Sequence, residues 1–315
     1  MAERPSPSQS ASAETARGVV LLIGGTGYVG DRMRFALRDA GWPVRLLTRS
    51  AGDRHVGEGF DVARGDITNR ESLVAAMQGV VAAINLVAII KEQGAATFEN
   101  INYQGSVNVV DAARQAGVTR LIQMSAIGAG DLPGYPYLHT KWRAENYVKE
   151  SGLDWTILRP SIIFGPGDKV QFVGQMADLV KRAPVIPIVG DGRSRFQPIH
   201  LDDVSACYAR ALADDGTIGQ TLEIAGPEVL TYEEILDECA ATLGKKKRKA
   251  HVPVSLMMPA ASVMGFIPFI EAPVTTDQLR MLKIDNTTDD NATPRLTGRD
   301  PIPFRGNIGY IAGKP

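Results

Sequence analysis

A chain of 315 residues with 44% hydrophobic and 22% charged side chains has the make-up of a globular protein, one large domain or two modest ones. Its 34 Lys and Arg nearly cancel 35 Asp and Glu, leaving a net charge of −1, so no global basic excess invites nucleic acid. Cys207 and Cys239 are too few for a disulfide framework or a Cys-based zinc site and read as reduced core thiols of a cytoplasmic protein.

Residues 1–17 are small and polar, include Glu3 and Glu14, and carry no apolar run, which predicts a disordered arm rather than a secretory or transit signal. From Gly18 the pattern becomes strand–helix alternation. GVVLLIG (18–24) is a continuous apolar run, as expected of a strand buried on both faces. A helix over 28–40 follows, then strands at 44–48 and 60–66. Asn69 caps a helix running to about 79, and 81–88 reads as the fourth strand. A long helix from Phe98 stops at Gly117, a fifth strand occupies 120–125, a helix 137–151 and a sixth strand 154–160. Strands separated by helices require parallel pairing with right-handed crossovers. The expected fold is α/β, a Rossmann-type doubly wound parallel sheet over 18–165. Residues 201–225 return to it, and 166–200 and 226–315 form a smaller, interleaved C-terminal substrate lobe.

The first strand runs into Gly24-Gly25-Thr26-Gly27-Tyr28-Val29-Gly30, with Gly24, Gly27 and Gly30 spaced as G-x-x-G-x-x-G before a helix. Side chains there would block a pyrophosphate from the backbone, and the helix N-terminus offers it free N–H donors. The strand–turn–helix setting predicts a dinucleotide site. An acidic residue at the end of strand two would select NAD, and an arginine would meet a 2′-phosphate. Here the segment is Thr48-Arg49-Ser50, which predicts NADP(H) in preference to NAD(H).

Tyr137 and Lys141 stand four apart, on one helical face, just past strand five. A lysine charge beside the phenol would lower its pKa and suit it to acid/base work. The alternative is that the pair only holds the cofactor ribose, or only packs. The same spacing recurs at Tyr310 and Lys314, where the tail context marks a coincidence. Strand five ends Met124-Ser125-Ala126-Ile127, and Ser125 is the candidate hydroxyl to polarise a substrate carbonyl, although a one-residue shift would put Ala126 or Ile127 in its place.

Together these motifs resemble the extended and atypical branch of the short-chain dehydrogenase/reductase superfamily, with its epimerase- and dehydratase-like members. More narrowly they are similar to the alpha subcomplex subunit 9 family of respiratory complex I. The resemblance adds candidate cofactor contacts at Asp66 and Ile67, at Leu86, Val87 and Ala88, at Asn102, and at Pro160 and Ile163 in the Arg159–Asp168 segment. It implies hydride transfer on a carbonyl or hydroxyl, with Tyr137, Lys141 and Ser125 as the active set. It equally implies a non-catalytic NADPH-binding accessory protein of a respiratory or ubiquinone-synthesis membrane complex.

Lys245 to Lys249 form a basic run ahead of an uncharged, proline-broken stretch at 252–270. Three prolines and a glycine argue against a span. A covering helix of the substrate lobe and a membrane-peripheral or partner-docking patch both remain open. Arg193 and Arg195 could grip a phosphate or a carboxylate, or be solvated loop charges. The four histidines show no metal-ligand spacing.

Overall fold

The computed structural model describes residues 17–50, 59–167, 171–252 and 276–313. All of the predicted arm (1–17) but Arg17, together with Asp168, the stretch from Pro253 to 275 and Lys314, lies outside the described residues.

Seven strands form one parallel sheet: β1 (Val19–Ile23), β2 (Val44–Thr48), β3 (Asp61–Arg64), β4 (Val80–Asn85), β5 (Arg120–Met124), β6 (Asp154–Pro160) and, by its place in this sheet, the strand Gln220–Ile224. Their spatial order is β3-β2-β1-β4-β5-β6 followed by Gln220–Ile224. The order reverses between β1 and β4, and ligands of open α/β sheets bind at the carboxyl ends of the strands on either side of such a reversal. The apolar run of β1 has a direct cause. Val20 and Leu22 enter one core layer, Leu21 and Ile23 the opposite layer, and all four are fully buried. A strand covered on both faces has no position left for a polar side chain, and each such burial is worth roughly 1.5–3 kcal/mol.

One face is covered by α1 (Tyr28–Asp39) and the helix Leu201–Ala213, through Met33, Leu37, Val204 and Tyr208. The other is covered by α2 (Arg70–Ala76), α3 (Gly105–Ala116) and α4 (Pro136–Lys149), through Leu73, Val109, Ala113 and Val148. Local chemistry sets several of the ends. Asn69 Oδ1 accepts from the Ser72 amide at 2.9 Å, and α2 stops at Ala76, short of the expected 79. Gly117, at φ 74°, ends α3 in the left-handed region. The turn before α3, Phe98–Gln104, is a π-helix rather than the α-helix its sequence predicts. Strand four ends at Asn85, so Leu86 to Ala88 leave the sheet as a loop above its carboxyl edge.

A second core cluster lies beyond β6. It joins α5 (Phe172–Arg182), the helix Tyr232–Thr242 and the C-terminal Phe304, Ile308 and Ile311. Helix Tyr232–Thr242 begins with a reciprocal capping box between Thr231 and Glu234. The tail is anchored by the fully buried Asp203, whose carboxylate accepts from the Ile302 amide at 2.7 Å and pairs with Arg299 at 2.5 Å. Both cysteines are buried and form no disulfide.

Candidate cofactor and active site

The turn between β1 and α1 is built for close approach. Gly24 sits at φ +88°, where L side chains are strained, and its carbonyl accepts from the Gly27 amide at 3.1 Å. A Cβ on Gly30 would lie 2.1 Å from the Gly24 oxygen, so only glycine fits. No side chain caps the start of α1. Its first amides are therefore left to whatever anion enters the turn, and the helix dipole favours that anion. The residues present fit a dinucleotide diphosphate.

From this turn a cleft of about 740 Å³ runs along the carboxyl edge of the sheet. Thr26, Gly27, Tyr28, Val29 and Gly30 line its middle. Arg49, Asp66 and Ile67 line one end. Arg49 is exposed there. Burial alone would raise the Asp66 carboxyl, but Thr68 donates its hydroxyl and amide at 2.7 and 2.8 Å, and with the Arg49 charge holds it below the ordinary carboxylate value.

At the other end stand Leu86, Val87, Ala88, Pro160 and Ile163, together with Ser125 and Tyr137. The backbone of β5 continues against β6 past its last strand residue: the Ser125 amide donates to the Leu158 carbonyl at 2.8 Å, and Ile127 donates to Pro160 at 3.1 Å. This fixes Ser125 at the cleft wall. Its hydroxyl is buried and has no hydrogen-bond partner among the described residues. A buried hydroxyl left unmatched costs roughly 1–3 kcal/mol, which a ligand oxygen would relieve. Neighbouring Ala126 and Ile127 also line the cleft but bring no hydroxyl.

Tyr137 opens α4 behind Pro136 and meets Phe98 edge-on, with centroids 5.9 Å apart. Burial pushes its hydroxyl up to about 12. Lys141 is one turn on and fully buried. Its ammonium donates to the Met124 carbonyl at 2.6 Å rather than lowering the phenol, so the downward shift expected from the four-residue spacing is absent. Burial pulls Lys141 down to about 8, against Glu145, which raises it. Glu145 in turn is held by Arg159, whose Nε and Nη2 donate to its two oxygens at 2.8 and 2.6 Å.

Two expected contacts stand behind the wall instead of in it. Lys141 does not line the cleft, and neither does Asn102. Asn102 is fully buried on the π turn. Its Oδ1 accepts from the Ile89 amide and its Nδ2 donates to the Ile89 carbonyl, at 2.9 and 3.1 Å. Its effect on a cofactor passes through the loop that it holds. The Tyr310 hydroxyl, half of the coincidental second pair, accepts from the Gly165 amide at 3.2 Å, while Tyr28 donates to the Gly165 carbonyl. Sequence reasoning missed the apolar residues beyond Ser125, among them Phe172, Met176, Phe196 and Tyr232. They lie in short elements far apart in the chain, with no motif to join them.

Among the described residues no helix is long and apolar enough to cross a membrane. The basic run is partly engaged within its own lobe: Lys245 and Lys247 donate to the Lys181 and Ala183 carbonyls, and Lys249 pairs with Glu233 and Asp237.

Sheet order, glycine turn and cleft together define a Rossmann-type dinucleotide-binding protein. A sequence model of NAD(P)H-binding proteins matches residues 24–185, more than half of the chain, and the chain belongs to that NAD(P)H-binding family. NADH dehydrogenase (ubiquinone) 1 alpha subcomplex subunit 9, mitochondrial, of Arabidopsis thaliana is 28% identical over 303 residues, covering 91% of this chain and 75% of the relative. Ceramide reductase of Caulobacter vibrioides is 29% identical over 255 residues, covering 80% and 79%. Among solved structures, that of gox2253 is similar with a TM-score of 0.74 at 25% identity, covering 92% of this chain and 96% of the other.

Proposed function

We propose that the chain is an NADP(H)-dependent reductase of the short-chain dehydrogenase/reductase kind, acting on a carbonyl substrate. The observation that carries this reading is the buried, unpartnered Ser125 hydroxyl at the wall of a cleft that Tyr137 also lines. When bound, a nicotinamide supplies the hydride. Ser125 would donate a hydrogen bond to the carbonyl oxygen and stabilise the charge growing there. Tyr137, its hydroxyl held protonated at neutral pH, would give that oxygen its proton and recover one from solvent. Lys141 would serve as a positioning residue that ties α4 to the end of β5. Arg49 would meet the adenosine 2′-phosphate, with Thr48 and Asp66 shaping that end.

The test is NADPH oxidation against a panel of ketones, with nucleotide binding followed by calorimetry. Ser125→Ala and Tyr137→Phe should keep NADPH binding and lose about 100-fold or more in turnover. Full turnover by Tyr137→Phe would overturn the reading.

A second reading is an accessory NADPH-binding subunit of a membrane-associated respiratory assembly. It is supported by Lys141, whose charge is directed to a carbonyl rather than to Tyr137, and by the name of the Arabidopsis relative. In that case the nucleotide stabilises the fold by binding linkage. NADPH that raises the melting temperature but is never oxidised, with Tyr137→Phe silent, would favour it.

A further inference from the structure

Beyond Ser125 the cleft opens into a second arm. Phe172 and Met176 of α5, with Phe196, Tyr232, Leu282 and Ile284, line it where the cleft meets the second core cluster. The aromatic rings are continuous: Phe172 lies 5.1 Å from Phe196 and 6.3 Å from Tyr232, centroid to centroid. The Tyr232 hydroxyl makes no hydrogen bond among the described residues. Gln175, Asn286 and Asp285 are the other polar side chains near these rings, on a lining that is otherwise apolar.

Charge is distributed in the opposite sense. Among the described residues lining the whole cleft, Arg49 is the one cation, and it stands at the adenosine end. The charged side chain lining the second arm is a carboxylate, Asp285. Arg195, which could have gripped a phosphate, points its Nε and Nη2 at Asp285 Oδ2, at 2.9 and 2.7 Å, and does not line the cleft. Arg193 is exposed and also outside the wall. A diphosphate or carboxylate entering this arm would shed water and find, among the described lining residues, no cation and only the Asp285 carboxylate, which already holds Arg195. An apolar body would lose nothing by desolvation and gain from burial.

We infer that the second arm binds the uncharged, largely apolar body of a lipid-like ketone or its secondary alcohol, and excludes substrates carried on a nucleoside diphosphate. The inference rests on the reductase reading of Ser125 and Tyr137, and it names the class of substrate that site would reduce.

The experiment uses the full chain loaded with NADP⁺, so that no turnover occurs, and Nile red as an uncharged reporter of the arm. NADP⁺ binding is read first, by calorimetry. Methyl nonyl ketone should then displace Nile red and raise the melting temperature, while UDP-glucose should do neither. Ile284→Lys should bind NADP⁺ as the parent does and weaken ketone displacement at least about tenfold, since the new ammonium would have to be desolvated against the ketone chain. A bound nucleotide with no ketone response, or a stronger response to UDP-glucose, would overturn the substrate class and leave the cofactor reading standing. A folded Ile284→Lys that binds the ketone as well as the parent would do the same. A protein that takes up no NADP⁺ would overturn both.

Discussion

Lys141 reaches from α4 to donate its ammonium to the Met124 carbonyl at 2.6 Å, one residue before Ser125. The helix that carries Tyr137 is thereby tied to the strand end that carries the candidate carbonyl-binding hydroxyl. Burial holds Lys141 at about 8, below its ordinary 10.5. Between those values an unfolded chain keeps a proton that the folded protein has released. Folding stability from this residue therefore rises with pH across that interval, by up to about 1.4 kcal/mol per pH unit. Below it, both states are protonated and the full cost of a buried ammonium remains. Urea unfolding of nucleotide-free parent and Lys141→Met protein from about pH 7 to 9 should show the parent gaining on the variant above about pH 8. The window stops at about pH 9 because the Cys207 thiol, pushed by burial from 9.0 up to about 12, begins to act in the opposite direction there. A constant difference between the two proteins would show that Lys141 does not titrate as a buried group.

The cofactor end of this site is legible in the sequence because it is local. Gly24, Gly27 and Gly30 sit within one strand–turn–helix unit, where Gly27 and Gly30 are crowded by Gly24 and Gly25 and Gly24 is demanded by its own positive φ. Parallel pairing follows almost as directly, since apolar runs separated by helices leave it as the available solution. The second arm is not legible. Phe172, Phe196, Tyr232 and Ile284 each look like ordinary core positions, and only tertiary packing turns them toward one space. Spacing also places Tyr137 and Lys141 on one helical face without saying where the ammonium points. That depends on the acceptor the fold brings within reach, here the Met124 carbonyl, which also accepts from Gln123 Nε2. Asn102 shows the same limit, with a side chain matched to the Ile89 backbone instead of to the cleft.

Gly30 has no room for a methyl group. A Cβ there would lie 2.1 Å from the Gly24 oxygen and 2.5 Å from the Gly25 Cα, both backbone atoms that cannot swing away. Gly30→Ala should cost about 1–3 kcal/mol in folding stability and abolish the heat of nucleotide binding, because the turn must open to relieve the clash. Gly134→Ala, with nothing within 4 Å of the added atom, should leave both unchanged. Calorimetry and thermal melts of the two variants side by side check this, and nucleotide binding by Gly30→Ala at parental strength would contradict it.

Arg49 should decide between the two pyridine nucleotides. It is exposed at the end of the cleft that Asp66 and Ile67 also line, near a carboxylate already satisfied by Thr68. A charge-assisted hydrogen bond to a 2′-phosphate is worth about 1.5–3 kcal/mol, or roughly 10- to 100-fold in affinity. Arg49→Ala should lose that factor for NADPH and change NADH binding by less than about threefold. Equal losses for both nucleotides would mean that Arg49 does not meet the phosphate.

Glu145 lies on the same helix as Tyr137, with its side chain fully buried, and Arg159 grips both of its oxygens from β6. Lys149 approaches the same carboxylate at 3.6 Å, and Glu223 meets the other edge of the guanidinium at 3.4 Å. Removing one member of such a pair leaves the other desolvated without its partner, at a cost of about 3–5 kcal/mol, whereas replacing both by apolar residues avoids the orphaned charge. Glu145→Ala should therefore lower stability by about that amount, and Glu145→Leu combined with Arg159→Met should be closer to the parent than either single change. Because β6 ends in Pro160 at the cleft wall and the first turn of α4 carries Tyr137, the single variants should also weaken nucleotide binding, and the double variant should recover part of it. Denaturant melts and calorimetry on the parent, the single variants and the double variant measure both effects. Additive single losses, with no recovery in the double variant, would show that the pair is not what joins these two elements.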